Sequence, residues 1–435
     1  MRYDLIIKGG TVVDVTGAGR FTADVAVHEG VIAAIGDDLG TDAAEIIEAE
    51  GLLVTPGYVD VHTQYDGQVT WDSELARSPH DGVTTLVLGN CGVGFAPVRP
   101  GTEEWLIQLM EGVEDIPGTA LSEGIDWQWE SFPEYLDFLD TRSFVVDVGA
   151  QIAHGAVRGY VMGERGASNE PASPDDIEAM ADIVAEAVAS GALGVSTSRT
   201  ITHRAIDGEP VPGTFAAEDE LFGLGRGLRE GGGGVFELAP AGAAGEDVIA
   251  PHKEVEWMRR LAKETGQPVS FALLQVAAAP ELWKELMEAS MEAAAAGAPI
   301  YPQVAARPFG MLVGFETHHP FAKRPSYLAI ADLPIDQRIV ELRKPEVKAA
   351  ILAEADVDEQ LKPLFDGLGA VIAGMLDEVY VVGDPPDYEP TADRSVAALA
   401  AAQGVDPLEA AYDAFCAEDG QALLMLPLFN YVEQN

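Results

Sequence analysis

The chain has 435 residues, 47% hydrophobic and 23% charged, a globular balance with enough apolar surface for a large buried core. With 26 basic against 72 acidic residues its formal net charge is −46, which repels phosphate backbones and anionic lipid, so nucleic acid and membrane surfaces are excluded as partners. Cys91 and Cys416 are too few for a disulfide framework and MRYDLIIKGG lacks an apolar signal core, so the cytoplasm is the expected location.

Residues 1–52 read as a small β-domain, a β-sandwich element built from short strands at 5–8, 24–28 and 31–35, the last two joined by a tight hairpin at Glu29-Gly30. From Gly51 onwards the pattern becomes apolar runs of four to ten residues separated by helical stretches, the sign of strands buried on both faces. Seven such runs are found, at 52–61, 84–88, 144–148, 193–196, 235–238, 269–274 and 300–304. The helix expected from Ser173 opens with Ser-Pro and carries Asp175, Asp176 and Glu178 in its first turns, while helices over 253–265 and 279–296 end at Gly266 and Gly297. No nucleotide-binding glycine pattern follows the first strand, so the α/β repetition over 53–305 predicts a (β/α)8 TIM-like barrel with seven identifiable strands. Residues 306–435 read as an insertion over the barrel mouth followed by C-terminal helices, including helical sequence at 336–354, a proline turn at 384–386 and an apolar stretch at 422–428, with no evident eighth strand.

Catalytic groups in such a barrel belong at the C-terminal ends of its strands. Strand one ends in Asp60-Val61-His62-Thr63-Gln64, and alternation places His62 and Gln64 on one side as candidate metal ligands, a hydrogen-bonded core histidine being the alternative. Strand two ends in Gly89-Asn90-Cys91-Gly92, where backbone amides in a glycine-flanked turn would lower the pKa of a thiol. His154 and Arg158 after strand three, and Arg199 and His203 after strand four, could grip a substrate carboxylate. Glu237 at the end of strand five needs a metal or a cation if it points into the barrel, either as a ligand or as the catalytic base.

The run Gly-Leu-Leu-Val-Thr-Pro-Gly-Tyr-Val-Asp-Val-His, the preceding hairpin and Gly89-Asn90-Cys91-Gly92 together resemble the amidohydrolase superfamily. The Asn-Cys-Gly turn and the His-Gly-x-x-Arg segment at 154–158 resemble its D-aminoacylase, or N-acyl-D-amino-acid deacylase, branch. The resemblance implies one or two divalent ions, zinc first, that activate a water to hydrolyse the amide of a small N-acyl amino acid-like substrate carrying a carboxylate. His62 answers to the first histidine of the family's His-x-His pair and Cys91 to its cysteine ligand, while Gln64 stands in place of the second histidine. Glu237, and either Leu273 or Gln275, stand where the strand-five and strand-six histidines are expected. The family's general base, an aspartate on strand eight, would lie beyond Asn435, so the chain reads as a fragment or a shortened homologue. The other reading is a metal-poor, inert barrel that binds a small molecule or a partner, and exposed sheet edges would favour a homo-oligomer.

Overall fold

The computed structural model describes residues 2–431 apart from 306, 358–367, 384 and 388. The turn expected at 384–386 therefore lies partly outside the described residues. The chain divides into two compact units, one of Met1–Val61, Glu74–Leu86 and Phe144–Val148, the other of His62–Ser73, Val87–Ser143 and Gly149–Asn435.

In the first unit β1 (Tyr3–Val12), β2 (Phe21–His28), β3 (Val31–Gly36), β4 (Ala43–Glu48) and β5 (Leu53–Val54) form one mixed sheet. The predicted hairpin joins β2 to β3, and Glu29 and Gly30 both adopt positive φ, as a two-residue turn matched to strand twist requires. β1 is the centre of the sheet, pairing antiparallel with β2 on one side and parallel with β4 and β5 on the other. Val12 of β1 meets Ala23 and Val25 of β2 in a small apolar core. β6 (Tyr58–Asp60) pairs in parallel with the first residues of β7 (Val83–Leu88).

β7 and β8 (Asp147–Ala150) end in the second unit, where β9 (Ile152–Ala153), β10 (Gly194–Ser198), β11 (Val235–Ala239), β12 (Val269–Ala272) and β13 (Ile300–Gln303) form a five-stranded parallel sheet in sequence order. Six of the apolar runs each become one strand, the third displaced by about three residues towards its C-terminal end, while the first, 52–61, breaks into β5 and β6 and is largely exposed rather than buried on both faces. Every residue of β10 is buried and four of five in β11, because helices such as Pro174–Ala189 and Ala250–Thr265 cover a parallel sheet. One consequence matters for the site: Ser196, Thr197 and Glu237 are polar side chains on strands with almost no exposure to water.

Beyond residue 306 the unit continues as β14 (Phe309–Val313), β15 (Tyr380–Val381) and β16 (Leu424–Phe429), an antiparallel sheet of order β14-β16-β15. The apolar stretch at 422–428 is thus a strand, pairing with β14 and β15. Its Leu424 and Leu426 join Phe315, Phe321, Tyr412 and Phe415 in a separate core. None of the described helices is long and apolar enough to cross a membrane.

Candidate metal centre

The chain reverses after β7 through Gly89-Asn90-Cys91-Gly92, with positive φ at Gly89, Cys91 and Gly92. The two glycines are needed for space as well as for backbone angle: a Cβ on Gly89 would lie 2.0 Å from the Gln151 carbonyl oxygen, and one on Gly92 2.7 Å from the Ser198 nitrogen. Side chains from neighbouring strands hold the turn. Asn90 Nδ2 donates to the carbonyls of Thr63 and Val87, Gln151 Nε2 donates to Asn90 Oδ1, Gly89 N–H to Asp66 Oδ1 and Gly92 N–H to Ser196 Oγ. Cys91 is thereby fixed with its thiol turned towards His62 and Glu237.

His62, Cys91 and Glu237 each offer one donor atom, and the three atoms lie within 4.8 Å of one another. His62 Nε2 is 3.1 Å from Cys91 Sγ, and His62 Nδ1 is 2.7 Å from Gln303 Oε1 and 3.5 Å from Glu237 Oε1. Glu237 Oε2 accepts the Cys91 backbone N–H at 3.1 Å, while its Oε1 is buried and has no hydrogen-bond partner. An ion bonded to nitrogen at about 2.0 Å and to sulfur at about 2.3 Å in tetrahedral geometry separates those atoms by about 3.5 Å, so the His62–Cys91 spacing closes on zinc with a small adjustment. An imidazole, a thiol and a carboxylate with an orphaned oxygen fit a zinc-type ion.

Burial pushes the Glu237 carboxyl up to about 7, partly offset by the His62 charge and the Cys91 N–H. The Cys91 thiol is pushed well above its ordinary value by burial and by the charges of Glu237, Glu114 and Asp66. The sequence expectation of a lowered thiol pKa is thus corrected: at 5% exposure the loss of water outweighs what the turn amides supply. A divalent cation inverts this balance, because it favours the thiolate and the carboxylate together.

The other expected site residues are distributed differently. Gln64 sits beside the cluster with Nε2 3.8 Å from Cys91 Sγ, a weak contact, and with Oε1 buried and without a hydrogen-bond partner. His203 is half-buried, bonded through Nδ1 to Ser198 Oγ at 3.0 Å, and its imidazole is pushed down to about 4 by burial and by the His62 charge. His154 and Arg158 are fully buried, and both bond Glu220; Arg158 also donates to the Glu170 carbonyl, and His154 Nδ1 meets Thr197 Oγ1. With their charge already balanced internally and no exposed surface, they do not offer the carboxylate grip expected of them. Arg199 pairs with Glu254 and donates to the Ala216 carbonyl, so its guanidinium is also engaged. Leu273 is an apolar core residue and Gln275 bonds Asn430 and the Pro280 carbonyl, whereas Glu237 lies in the cluster with His62 and Cys91.

Gln303 and Glu220 were not legible as site residues. Gln303 is the last residue of β13, where the strand-end rule applies, but a neutral amide carries no signal of its own. Glu220 lies in a helix whose first turn is acidic, the ordinary complement to a helix dipole.

The signature of the amidohydrolase family matches residues 45–425. The chain belongs to that family, whose (β/α) barrel and β-rich N-terminal domain are the predicted fold class. D-aminoacylase of Alcaligenes xylosoxydans xylosoxydans is 30% identical over 308 residues, covering 70% of this chain and 58% of that protein. N-acyl-D-aspartate deacylase of the same organism is 29% identical over 233 residues, 54% of this chain and 42% of the other. The chain thus spans less than two thirds of the length of these relatives. N-acyl-D-glutamate deacylase from Bordetella bronchiseptica, solved with zinc and a phosphonate inhibitor, shares the fold with a TM-score of 0.61 at 21% identity, over 100% of this chain and 73% of that one.

Proposed function

We propose that the chain is a metal-dependent amidohydrolase that cleaves the amide bond of a small N-acyl amino acid, with the cytoplasm as its place of action. The observation that carries this reading is the convergence of His62 and Cys91, which follow β6 and β7, on Glu237 inside β11, with an orphaned carboxylate oxygen among them. The similarity to D-aminoacylase supports the substrate class. When bound, the ion supplies Lewis-acid polarisation of the amide carbonyl and a lowered pKa for water.

His62 would hold the ion through a ring nitrogen, Cys91 through its thiolate and Glu237 through Oε1, while Glu237 Oε2 keeps the Cys91 backbone in register. In that role Glu237 is a ligand, and the general base is a separate group. Gln64 leaves a site for one strongly held ion, since a neutral amide is a much weaker ligand than the imidazole it replaces. His203, held by Ser198, is the group assigned to the substrate carboxylate, which it would meet as a neutral hydrogen-bond donor because its imidazole is pushed down to about 4. The Arg158–Glu220–His154 cluster acts behind the site, fixing the helix that begins at His154. The Gln64 replacement also favours a second reading, a barrel that binds a small molecule without turnover.

Metal content and hydrolysis of a panel of N-acetyl-D-amino acids by the purified chain test the proposal. About one equivalent of zinc, lost together with activity on chelation and in Cys91→Ala, is the expected result. Full metal occupancy with no hydrolysis of any panel member favours the binding reading, and no metal in wild type overturns the proposal.

A further inference from the structure

His62 has two ring nitrogens, and a metal-ligating imidazole must keep its proton on the nitrogen that does not bind the ion. Nδ1 lies 2.7 Å from the acceptor Gln303 Oε1, with the Glu237 carboxylate oxygen Oε1 farther off at 3.5 Å. An amide oxygen only accepts, so at this contact the neutral imidazole carries its proton on Nδ1. Nε2 is then left with its lone pair facing Cys91 Sγ at 3.1 Å. Gln303 is itself rigidly held. It is the last residue of β13, paired in register with Ala272, and its carbonyl accepts the Leu273 N–H at 2.9 Å.

We infer that Gln303 is a positioning residue, which fixes His62 as the Nδ1-protonated tautomer and aims Nε2 at the ion. The inference rests on the metal-centre reading above. An amide suits this place for a physical reason: it orients the ring without adding a further negative charge to a pocket that already holds Glu237 and the Cys91 sulfur. A carboxylate, the commoner partner of a ligating histidine, would orient the ring equally well at that electrostatic cost.

The tautomer is read without any metal. In the metal-free, full-length chain labelled with 15N in its imidazoles, at a pH well above the ordinary imidazole range, the His62 signals are identified by their loss in His62→Asn. The expected pattern is Nδ1–H in wild type and in Gln303→Glu, changing to Nε2–H or a tautomer mixture in Gln303→Leu. Nε2–H in wild type overturns the inference. Cobalt binding supplies the second arm: Gln303→Leu should weaken Co²⁺ affinity about 10–100-fold with the sulfur-to-cobalt absorption band retained, and Gln303→Glu should recover it. Equal affinity in wild type and Gln303→Leu also overturns the inference. Failure of the underlying metal reading looks different, since wild type would then bind no cobalt, or bind it as well after Cys91→Ala, while the tautomer spectrum still decides the Gln303 contact.

Discussion

At the scale of single residues, the site depends on positions where no other side chain fits. Gly89 combines φ of +74° with the Gln151 carbonyl oxygen 2.0 Å from where a Cβ would be, so Gly89→Ala forces the β7 turn away from Gln151. The expected loss is at least about 3 kcal/mol in urea unfolding, and a loss under about 1 kcal/mol would show that the turn adjusts freely. Glu220 is constrained by charge instead. Burial raises its carboxyl, but His154 and Arg158 outweigh that and hold it down at about 2, below the ordinary carboxylate value of 4.5. A carboxyl lowered on folding stabilises the protein above its unfolded value, so this contribution is complete above about pH 4.5 and is lost as the pH falls towards 2. Glu220→Gln leaves Arg158 buried and uncompensated and is expected to cost about 3–5 kcal/mol at neutral pH and progressively less in acid; a cost independent of pH between about 5 and 2 would contradict this account.

At the scale of elements, local chemistry is strongest where a cap is written in the sequence. Ser173 Oγ accepts the Asp176 N–H and Asp176 returns the bond to the Ser173 N–H, closing a capping box at the start of the 174–189 helix. Ser173→Ala should therefore lower stability by about 1 kcal/mol, and Ser173→Asp should recover most of it, as measured by thermal unfolding. The same local chemistry corrects the helix read over 336–354. It is two helices, Ile335–Leu342 and Pro345–Ala353, because a proline cannot supply the N–H that a continuous helix needs and instead begins the second one. Residues 424–429, seen only as an apolar stretch, became a strand because β14 and β15 supply its partners.

At the scale of the whole molecule, the dominant quantity is the net charge of −46. Many of the few cations are committed to ion pairs, such as Arg165–Asp176, Arg226–Glu178 and Arg260–Glu218. Salt screens those pairs as well as the repulsion, but with so large an acidic excess the repulsion outweighs the pairs. Raising NaCl from about 0.1 M to about 1 M, which shortens the screening length from about 10 Å to about 3 Å, should raise the melting temperature by several degrees. An unchanged or lower melting temperature would show that the acidic residues are spaced widely enough to cost little.

What the sequence determined by itself was whatever is local or periodic. The strands follow from apolar runs, the hairpin from Glu29-Gly30, the cap from Ser173-Pro174 and the cysteine turn from its flanking glycines. The family followed from the joint presence of the 51–62 run, the hairpin, the Asn90-Cys91-Gly92 turn and the 154–158 segment. Only the tertiary structure decided which strand ends meet. It placed Glu237, 146 positions from Cys91, against that residue's amide, set Gln303, 241 positions from His62, on the ring nitrogen, and closed Arg158 onto Glu220. A pKa or a ligand geometry depends on desolvation and on neighbours distant in sequence, and neither exists until the strands are packed.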